Sequence, residues 1–338
     1  MFRKTLSILI LIALTCVSAL PQAASTGNAP PASFEERLGA DDGAAMAILF
    51  GANMRGMLEL CDCNHPRGGL GRRIGYVEGF KKKFKQTPVL HVEAGFFLAD
   101  SATYTPAVML QNEQVVRALS RWNVDVINFG RFDLLYAQKL LVREGLDERT
   151  AELPMIKNLI TANGVFGPEV AAPSPYIIKE VRGPRIKNKS KKLRVGFLGL
   201  AEPIKPAEGR DATVTDLFEA ARRFVPELRK KCDILVIVAH SAHKAALRLA
   251  EENPEADVVI AGNAEAMYKP RQVGNTMVVC AAPGNTQQGD LRVYIDEQGR
   301  KSYKFMSMNL DSTVPTDPAA AAYVEAARLE RELKGSNR

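Results

Sequence analysis

Short apolar runs alternate with amphipathic segments along most of the chain, and this alternation constrains the fold more than any other feature. The first run, at 44–50, is almost continuously apolar, as expected of a strand that is covered on both faces. Between Leu70 and Phe84 the apolar residues fall at helical spacing, and a second strand is predicted at 88–95. The pattern predicts an α/β domain whose functional site lies at the carboxyl ends of its strands.

The same alternation continues to residue 310. Further helices are predicted at 115–122, 134–143, 214–231 and 244–252. Further strands are predicted at 124–130, 158–163, 234–238, 258–260 and 277–279, with strand pairs at 176–181 and 193–200 and at 291–295 and 303–310. A last helix at 317–334 has one apolar stripe, which favours packing on the domain surface over binding to a partner helix.

The N-terminal residues have the pattern of a signal peptide. Arg3 and Lys4 precede an apolar run at 6–17, which is too short for a membrane span. We therefore predict a signal peptide at 1–24, cut after Ala19 or Ala24, and a periplasmic or secreted protein with no membrane span after cleavage. A linker is predicted at 25–43, followed by the domain at 44–312 and a C-terminal helix and tail at 313–338.

The chain is basic, but its charge does not indicate nucleic-acid binding. Its formal net charge of +7 falls to 7 − 2 = +5 once the two basic residues of the signal peptide are removed. Much of the excess lies in 81–83 and 185–192, where no aromatic residues interleave with the basic ones. Charge in this arrangement is typical of solvated loops and helix faces.

Polar and aromatic side chains follow the predicted strands at the points where each strand ends. Because the carboxyl ends of parallel strands meet at one edge of a sheet, we expect these side chains to line one pocket. In chain order they are Asn53, Arg55, Phe96, Arg131, Asp133, His240, Asn263 and Glu265.

These strand ends, together with the segments 159–163, 175–181, 195–200, 236–240 and 256–262, resemble the calcineurin-like metallophosphoesterase domain of periplasmic 5′-nucleotidase-like proteins. The resemblance extends over about residues 44–310, in the order found in that family. It implies a four-layer α/β/β/α sandwich, with two stacked sheets flanked by helices, and it implies hydrolysis of phosphoric esters. The second, substrate-binding domain of full-length 5′-nucleotidases is not part of the resemblance, so we expect poor nucleotide hydrolysis.

The family holds two divalent metal ions with motifs that this sequence lacks. Asp-x-His is replaced by Asn53 and Arg55, and the Asp of Gly-Asp is replaced by Phe96. Gly-Asn-His-Glu is reduced to 130–133, Gly-His-x-His becomes 262–265, and only His240 keeps its type. A fixed positive charge about 4 Å from a divalent ion costs several kcal/mol even at an effective dielectric constant of ~20. We therefore predict a pseudoenzyme without the dinuclear site.

A pair of cysteines, Cys61 and Cys63, follows the first strand and is the first alternative centre of activity. A Cys-x-Cys disulfide closes a small strained ring, which is reduced more readily than a relaxed one. The segment resembles a thiol-bearing branch of the superfamily with Cys-Gly-Cys before Gly-Gly-Leu-Ala-Arg-Arg, but departs from it at Asp62 and Gly71. Nearby arginines would favour the thiolate: Arg67, Arg72 and Arg73.

The sequence leaves the role of this pair open. A structural disulfide, either between Cys61 and Cys63 or from one of them to Cys280, competes with a redox-active one. A second alternative is a single Zn²⁺ or Cu⁺ ion held by Cys61, Cys63 and His65, with His240 or Cys280 as a further donor. We predict no other cofactor.

Two more alternatives use the charged residues at the strand ends. Arginines around the former phosphate pocket could bind a small anion: they are Arg55, Arg72, Arg73 and Arg131. Arg55 and Arg131 could instead form ion pairs with carboxylates of the pocket, namely Glu93, Asp133 and Glu265. A divergent hydrolase with at most one metal ion, held through His240, Glu265 and Asp133, is the alternative to a binding or thiol-redox protein.

Overall fold

Two six-stranded sheets lie face to face in the part of the chain that the structure describes. The structure is a computed structural model that describes residues 32–62, 64–99, 105–130, 132–186, 189–203, 213–264, 266, 268–280 and 286–336. The strands are β1 (Met46–Gly51), β2 (Val89–Glu93), β3 (Val126–Asn128), β4 (Leu159–Ile160), β5 (Gly164–Val165), β6 (Tyr176–Ile186), β7 (Lys189–Ala201), β8 (Thr213–Val214), β9 (Ile234–His240), β10 (Val258–Ala261), β11 (Arg271–Val273), β12 (Thr276–Cys280), β13 (Gln287–Ile295) and β14 (Lys301–Asn309).

Helices cover the outer faces of both sheets. They are α1 (Phe34–Leu38), α2 (Leu70–Lys83), α3 (Pro106–Arg121), α4 (Asp133–Leu141), α5 (Leu146–Glu152), α6 (Leu217–Arg229), α7 (His243–Glu252) and α8 (Pro318–Ser336), with a 3₁₀ turn at Pro154–Asn158. None of the described helices has the length and the hydropathy needed to span a membrane.

The order of the strands explains why several of them are continuously apolar. The first sheet has the order β14-β13-β1-β2-β3-β4, and the second has the order β11-β12-β10-β9-β7-β6. β1 lies between β13 and β2, and β9 lies between β10 and β7, so both are central strands with a neighbouring layer on each face. Every residue of β1 and of β9 is buried, as the apolar runs predicted.

Three layers of apolar contact give the fold its four-layer form. Between the sheets, Ile48 and Val92 of the first sheet pack with Phe197 and Val236 of the second. A second layer joins the first sheet to the helices on its outer face, and a third joins the second sheet to α6 and α7. The α/β/β/α sandwich predicted from the sequence is confirmed.

The start of the folded part lies earlier than the sequence indicated. The predicted signal peptide, 1–24, and the first residues of the predicted linker lie outside the described residues. Within the rest of that linker, however, α1 begins at Phe34 after a capping box formed by Ser33 and Glu36, and Phe34 and Leu38 are buried. The extended linker up to residue 43 is therefore wrong, because two apolar residues four positions apart are enough to attach one helical turn to the domain.

Two helices differ from their predicted bounds for identifiable reasons. α3 begins nine residues before the predicted start, with Thr105 as its N-cap and Pro106 in its first turn. Its first turn is largely exposed, so the apolar period begins only later. α5 was not predicted at all, and it has no buried residue that could produce a periodic pattern.

The C-terminal helix packs on the domain, as predicted. α8 contacts α2 and α3, and the Tyr323 hydroxyl donates to the backbone oxygen of Gln114 at 2.6 Å. The segment just before α8 approaches α2 closely, and this approach depends on two glycines spaced four residues apart on α2. A Cβ atom at Gly75 would lie 1.8 Å from the Pro315 backbone oxygen, and one at Gly71 would lie 2.8 Å from a Thr316 side-chain methyl group.

We expect Gly75→Ala to destabilise the protein by about 1–3 kcal/mol, because the Pro315 backbone would have to move away from the helix. Gly71→Ala is the matched control. Its neighbour is a side-chain methyl group that can rotate, and alanine gains about 1 kcal/mol of helix propensity, so little net change is expected. Urea unfolding of both variants measures the difference, and equal effects would contradict the proposed backbone contact.

Candidate functional site

Residues that follow strands of both sheets meet at one edge of the sandwich. The Asn53 side chain donates from Nδ2 to the Gly262 backbone oxygen at 2.8 Å. Its Oδ1 lies 3.3 Å from Nε2 of His240, the last residue of β9. Asn53 and His240 are both 1% exposed. The side chain that follows β1 therefore bridges the first sheet to the ends of β9 and β10 in the second.

The backbone at this edge holds three non-glycine residues in the left-handed region. The φ angles are 61° at Asn53, 51° at Arg55 and 57° at Phe96. Two backbone hydrogen bonds join the loops: Asn53 N–H donates to Gly95 O at 2.9 Å, and Arg55 N–H donates to Phe96 O at 3.0 Å. Each such conformation costs about 1–2 kcal/mol for an arginine or phenylalanine, and residues of this kind cluster at functional sites.

Asp133 joins the loops after β2 and β3 through its carboxylate. Its Oδ2 accepts from the backbone N–H groups of Phe96 and Gly130, both at 2.7 Å, and its Oδ1 accepts from that of Leu98 at 2.9 Å. Burial raises the pKa of Asp133 to about 8, although the three amide donors act in the opposite direction. Both carboxylate oxygens are therefore used to hold backbone.

Aromatic rings occupy the space beside Asn53 and His240. The Phe96 ring packs against Phe132 with centroids 4.5 Å apart, and it meets the His240 ring edge-on at 5.9 Å. The guanidinium carbon of Arg55 lies 5.0 Å from the Phe96 centroid, a cation–π contact at the exposed rim. Asn53, Arg55, Phe96, Asp133 and His240 are thus brought together, as their positions at strand ends predicted.

A buried ion pair lies below this edge and was not predicted. Arg73 of α2 donates from Nη1 to Glu93 Oε2 at 2.6 Å, with both side chains no more than 2% exposed. A Cβ atom on Gly51 would lie 2.7 Å from the Arg73 guanidinium carbon, so the pair fits only because β1 ends in glycine. Burial raises the pKa of Glu93, while the arginine beside it acts to lower it. The sequence instead predicted Arg73 in an anion pocket and in the surroundings of the cysteines.

Two sequence predictions about charge at the site need correction. Arg73 is not an exposed arginine of an anion pocket, because its buried guanidinium is bound by Glu93. Arg55 forms no ion pair with Glu93 or Asp133, since Arg73 and backbone amides occupy those carboxylates. Arg131 and Glu265 lie outside the described residues. Asn263 follows β10 and donates its backbone N–H to Ser241 O at 3.1 Å.

The loop that carries Cys61 is partly exposed and closed by backbone hydrogen bonds. Cys61 N–H donates to Arg67 O at 2.9 Å, and Arg67 N–H donates to the Cys61 Sγ at 3.2 Å. Cys61 is disulfide-bonded. Met57 and Leu60, just before it, are 43% and 42% exposed.

The other cysteines limit the pairing. Cys63 lies outside the described residues, whereas Cys232 and Cys280 take part in no disulfide. The predicted alternative in which Cys280 pairs with Cys61 is therefore wrong. His65 is exposed in the same loop. Arg72, the arginine predicted to favour the thiolate, instead donates from Nη1 to the Pro66 and Leu310 backbone oxygens.

Comparisons with known proteins agree on the fold. No family model matches the chain. The structure of a 5′-nucleotidase precursor from Thermus thermophilus superposes with a TM-score of 0.67 at 18% identity, over 84% of this chain and 58% of that one. The chain has the calcineurin-like metallophosphoesterase fold. The calcineurin-like phosphoesterase YfkN of Bacillus subtilis superposes with a TM-score of 0.64 at 16% identity, over 85% of this chain and 98% of that one.

A curated relative supports the same assignment over a shorter segment. The 2′,3′-cyclic-nucleotide 2′-phosphodiesterase/3′-nucleotidase of Salmonella typhimurium is 31% identical over 110 residues. That segment is 28% of this chain and 17% of the relative, so the chain matches less than a fifth of the relative's length. The metallophosphoesterase fold predicted from the strand-end motifs is confirmed.

The described residues do not fit the dinuclear metal centre that the metallophosphoesterase fold implies. The Asn53 amide is bonded to Gly262 and His240, and both oxygens of Asp133 accept from backbone amides. Phe96 has no lone pair to offer, and its ring fills the adjoining space. Among the residues that the structure describes, no three of His, Cys, Asp or Glu come together as metal ligands. No step of a reaction is therefore assigned to a metal ion at this edge.

We expect Arg73→Met to cost about 3–5 kcal/mol, because it leaves the buried Glu93 carboxylate without a partner. Adding Glu93→Gln should recover much of that loss. Lys81→Met is the control: it breaks the Lys81–Glu78 pair, whose side chains are about half exposed, and should cost less than about 1 kcal/mol. Denaturant titration reports all three, and equal costs for the buried and the exposed pair would contradict the assignment.

Stability should fall with rising pH through the titration of Asp133. Its raised pKa means that, between about pH 4 and about pH 8, the folded protein holds a proton that the unfolded chain has released. The free energy of unfolding should therefore fall by up to about 1.4 kcal/mol per pH unit from this group. Urea unfolding across that pH range should show that the wild type's free energy of unfolding falls relative to that of Asp133→Asn as pH rises. An advantage that grows with pH would mean that the amide donors keep the carboxylate ionised.

Proposed function

We propose that this protein is an exported thiol-redox protein on a metallophosphoesterase fold, which has lost the dinuclear metal site and does not hydrolyse phosphoesters. The observation that carries the proposal is the loop after β1. Cys61 is disulfide-bonded there, partly exposed, and accepts a backbone N–H on its sulfur at 3.2 Å. Export is supported by the signal-peptide pattern at 1–24, since an oxidising compartment is where a disulfide persists.

Loss of hydrolysis is supported by the way the former metal pocket is filled. The Asn53 amide, the Phe96 ring and the Asp133 carboxylate are committed to His240, Phe132 and backbone amides. Opening this pocket for two cations would break those contacts and place the cations near a positively charged rim residue, Arg55. The nucleotidase activities named for the relatives are therefore not proposed for this chain.

The loop suits thiol–disulfide exchange. We propose that Cys61 is bonded to Cys63, closing the small ring that the spacing predicts. A thiolate of a reduced dithiol partner attacks one sulfur, a mixed disulfide forms, and the other sulfur leaves as a thiolate. The Arg67 N–H donated to Cys61 stabilises Cys61 as that leaving thiolate. The partner's second thiol then resolves the mixed disulfide, so the partner becomes oxidised and this protein holds two thiols.

Exposed apolar side chains beside the disulfide could contact such a partner. Met57 and Leu60 lie within four residues of Cys61 and are each more than 40% exposed. A small anion is a second ligand class at the same edge. Arg55 is exposed and presents its guanidinium beside the Phe96 ring, and no ion pair with a described residue occupies it.

Measuring the reduction potential of the purified, oxidised chain tests the redox proposal. We expect a value above about −300 mV, in the range of exchangeable disulfides. Cys61→Ser should abolish the two-electron transition. Cys232→Ser is the control, because Cys232 is buried outside any disulfide and should leave the transition unchanged. A potential below about −300 mV would identify a structural disulfide and end the redox proposal.

A phosphatase assay tests the proposed loss of hydrolysis separately. We expect no turnover of nucleotides or aryl phosphates with Mn²⁺, Zn²⁺ or Mg²⁺ above the level of His240→Ala. Activity that depends on a metal ion and is abolished by His240→Ala would instead establish the divergent hydrolase.

A further inference from the structure

A cysteine and a histidine lie side by side on the outer face of the second sheet. Cys280 ends β12, and its Sγ lies 3.2 Å from Nδ1 of His243, the first residue of α7. The two residues are 3% and 8% exposed. Cys280 packs in the apolar layer between the sheet and α6 and α7, whereas the Asn53 side chain lies at the edge where the sheets meet. The two sites are therefore separate.

The surroundings of His243 hold its ring in place and favour its protonated form. The Tyr268 ring stacks on the imidazole with centroids 4.0 Å apart and planes 8° apart. The π face of a tyrosine attracts a cation placed over it, so stacking favours the imidazolium. A base that lies within hydrogen-bond distance of a thiol, and is itself oriented by a third group, is the arrangement of an activated nucleophile.

The position at the start of α7 acts on the thiol as well. α7 has ten residues, and Ala242 at its N-cap provides no side-chain hydrogen bond to the first turn. The positive end of the helix dipole favours a thiolate beside it and opposes an imidazolium, so its effects on the two partners differ in sign. Mutual attraction within a buried thiolate–imidazolium pair adds to the stacking contribution.

Most of the other ionisable residues that the structure describes on α7 and β11 are exposed to water. The ionisable residues of α7 and β11 beyond His243 are Lys244, Arg248, Glu251, Glu252 and Arg271. All are exposed except Glu252, which is partly buried and paired with Arg248 at 2.6 Å. Glu202 accepts from the Ala242 N–H at 2.8 Å. The imidazole is therefore the ionisable group in direct contact with the thiol among these.

We propose that Cys280 and His243 form a nucleophilic thiolate–imidazolium pair that reacts with small hydroperoxides. The Sγ proton moves to Nδ1 of His243, and the thiolate attacks the terminal peroxide oxygen. The S–O bond forms as the O–O bond breaks, and the imidazolium gives its proton to the leaving alkoxide or hydroxide. The sulfur is oxidised by two electrons to a sulfenic acid, and the hydroperoxide is reduced to an alcohol or water. Burial of Cys280 restricts the reaction to small reagents.

Cys232 provides a matched control within the same chain. It is 5% exposed, takes part in no disulfide, and lies just before β9, at the opposite end of the same sheet. Burial raises the pKa of its thiol. Cys280 has an imidazole within hydrogen-bond distance of its sulfur, whereas Cys232 lies near Arg229, Asp233 and Asp257.

Alkylation by iodoacetamide, followed by mass mapping of the two cysteine peptides, tests the proposal on the full chain. At about pH 7 an ordinary thiol with pKa ~8.5 is a few per cent thiolate, whereas one with pKa ~7 is half thiolate. Cys280 should therefore be alkylated about tenfold faster than Cys232. As pH is raised, the alkylation rate of Cys280 should reach its plateau at a lower pH than the rate of Cys232. His243→Gln should remove the difference, and hydrogen peroxide should produce a dimedone-trappable sulfenic acid at Cys280 in the wild type only.

Equal rates at the two cysteines, no effect of His243→Gln, or no sulfenic acid at Cys280 would each overturn the proposal. The comparison of the two cysteines in the wild type needs no variant, so it stands even if His243→Gln fails to fold. A negative result would leave the proposed role of Cys61 untouched, because that disulfide is measured by its own potential.

Discussion

The Asp133 carboxylate is the interaction on which the candidate site depends. The fold brings the loops after β2 and β3 together at one edge of the sandwich. Here a single buried carboxylate binds three backbone amides, from Phe96, Leu98 and Gly130. Three backbone hydrogen bonds to one buried carboxyl group, each worth roughly 0.5–1.5 kcal/mol, hold these two loops together.

The hydrogen bonds to Asp133 account for part of the strained backbone around it. Phe96 is held at positive φ, and its N–H is one of the three donors to Asp133. Asn53 and Arg55 are held at positive φ by hydrogen bonds to the neighbouring loop, which Phe96 belongs to. Main-chain hydrogen bonds between the loops, and to Asp133, thus hold these residues in conformations that they would rarely adopt alone.

Much of the fold could be predicted from the sequence, since central strands such as β1 and β9 are apolar throughout and the helices between them are amphipathic. The short α1 and α5 could not, because one turn with two apolar residues, or a helix with none buried, has no period to detect. Convergence of Asn53, Phe96 and His240 followed from their positions at strand ends. The partners of buried side chains could not be predicted in this way. Which carboxylate binds Arg73, and which sulfur lies beside His243, depends on packing between elements that are far apart in the chain.

Closure of the Cys61 loop by its own backbone has a consequence for how the protein tolerates a change of redox state. The loop is fixed at one end by β1 and at the other by α2, and within it Leu70 N–H donates to Leu58 O at 2.8 Å and Cys61 N–H donates to Arg67 O. Arg73 anchors the following helix to Glu93. The proposed bond from Cys61 to Cys63 would close a very short ring, so it would remove little additional chain entropy from the unfolded state. A bond that adds little to stability can open and close many times without the domain unfolding.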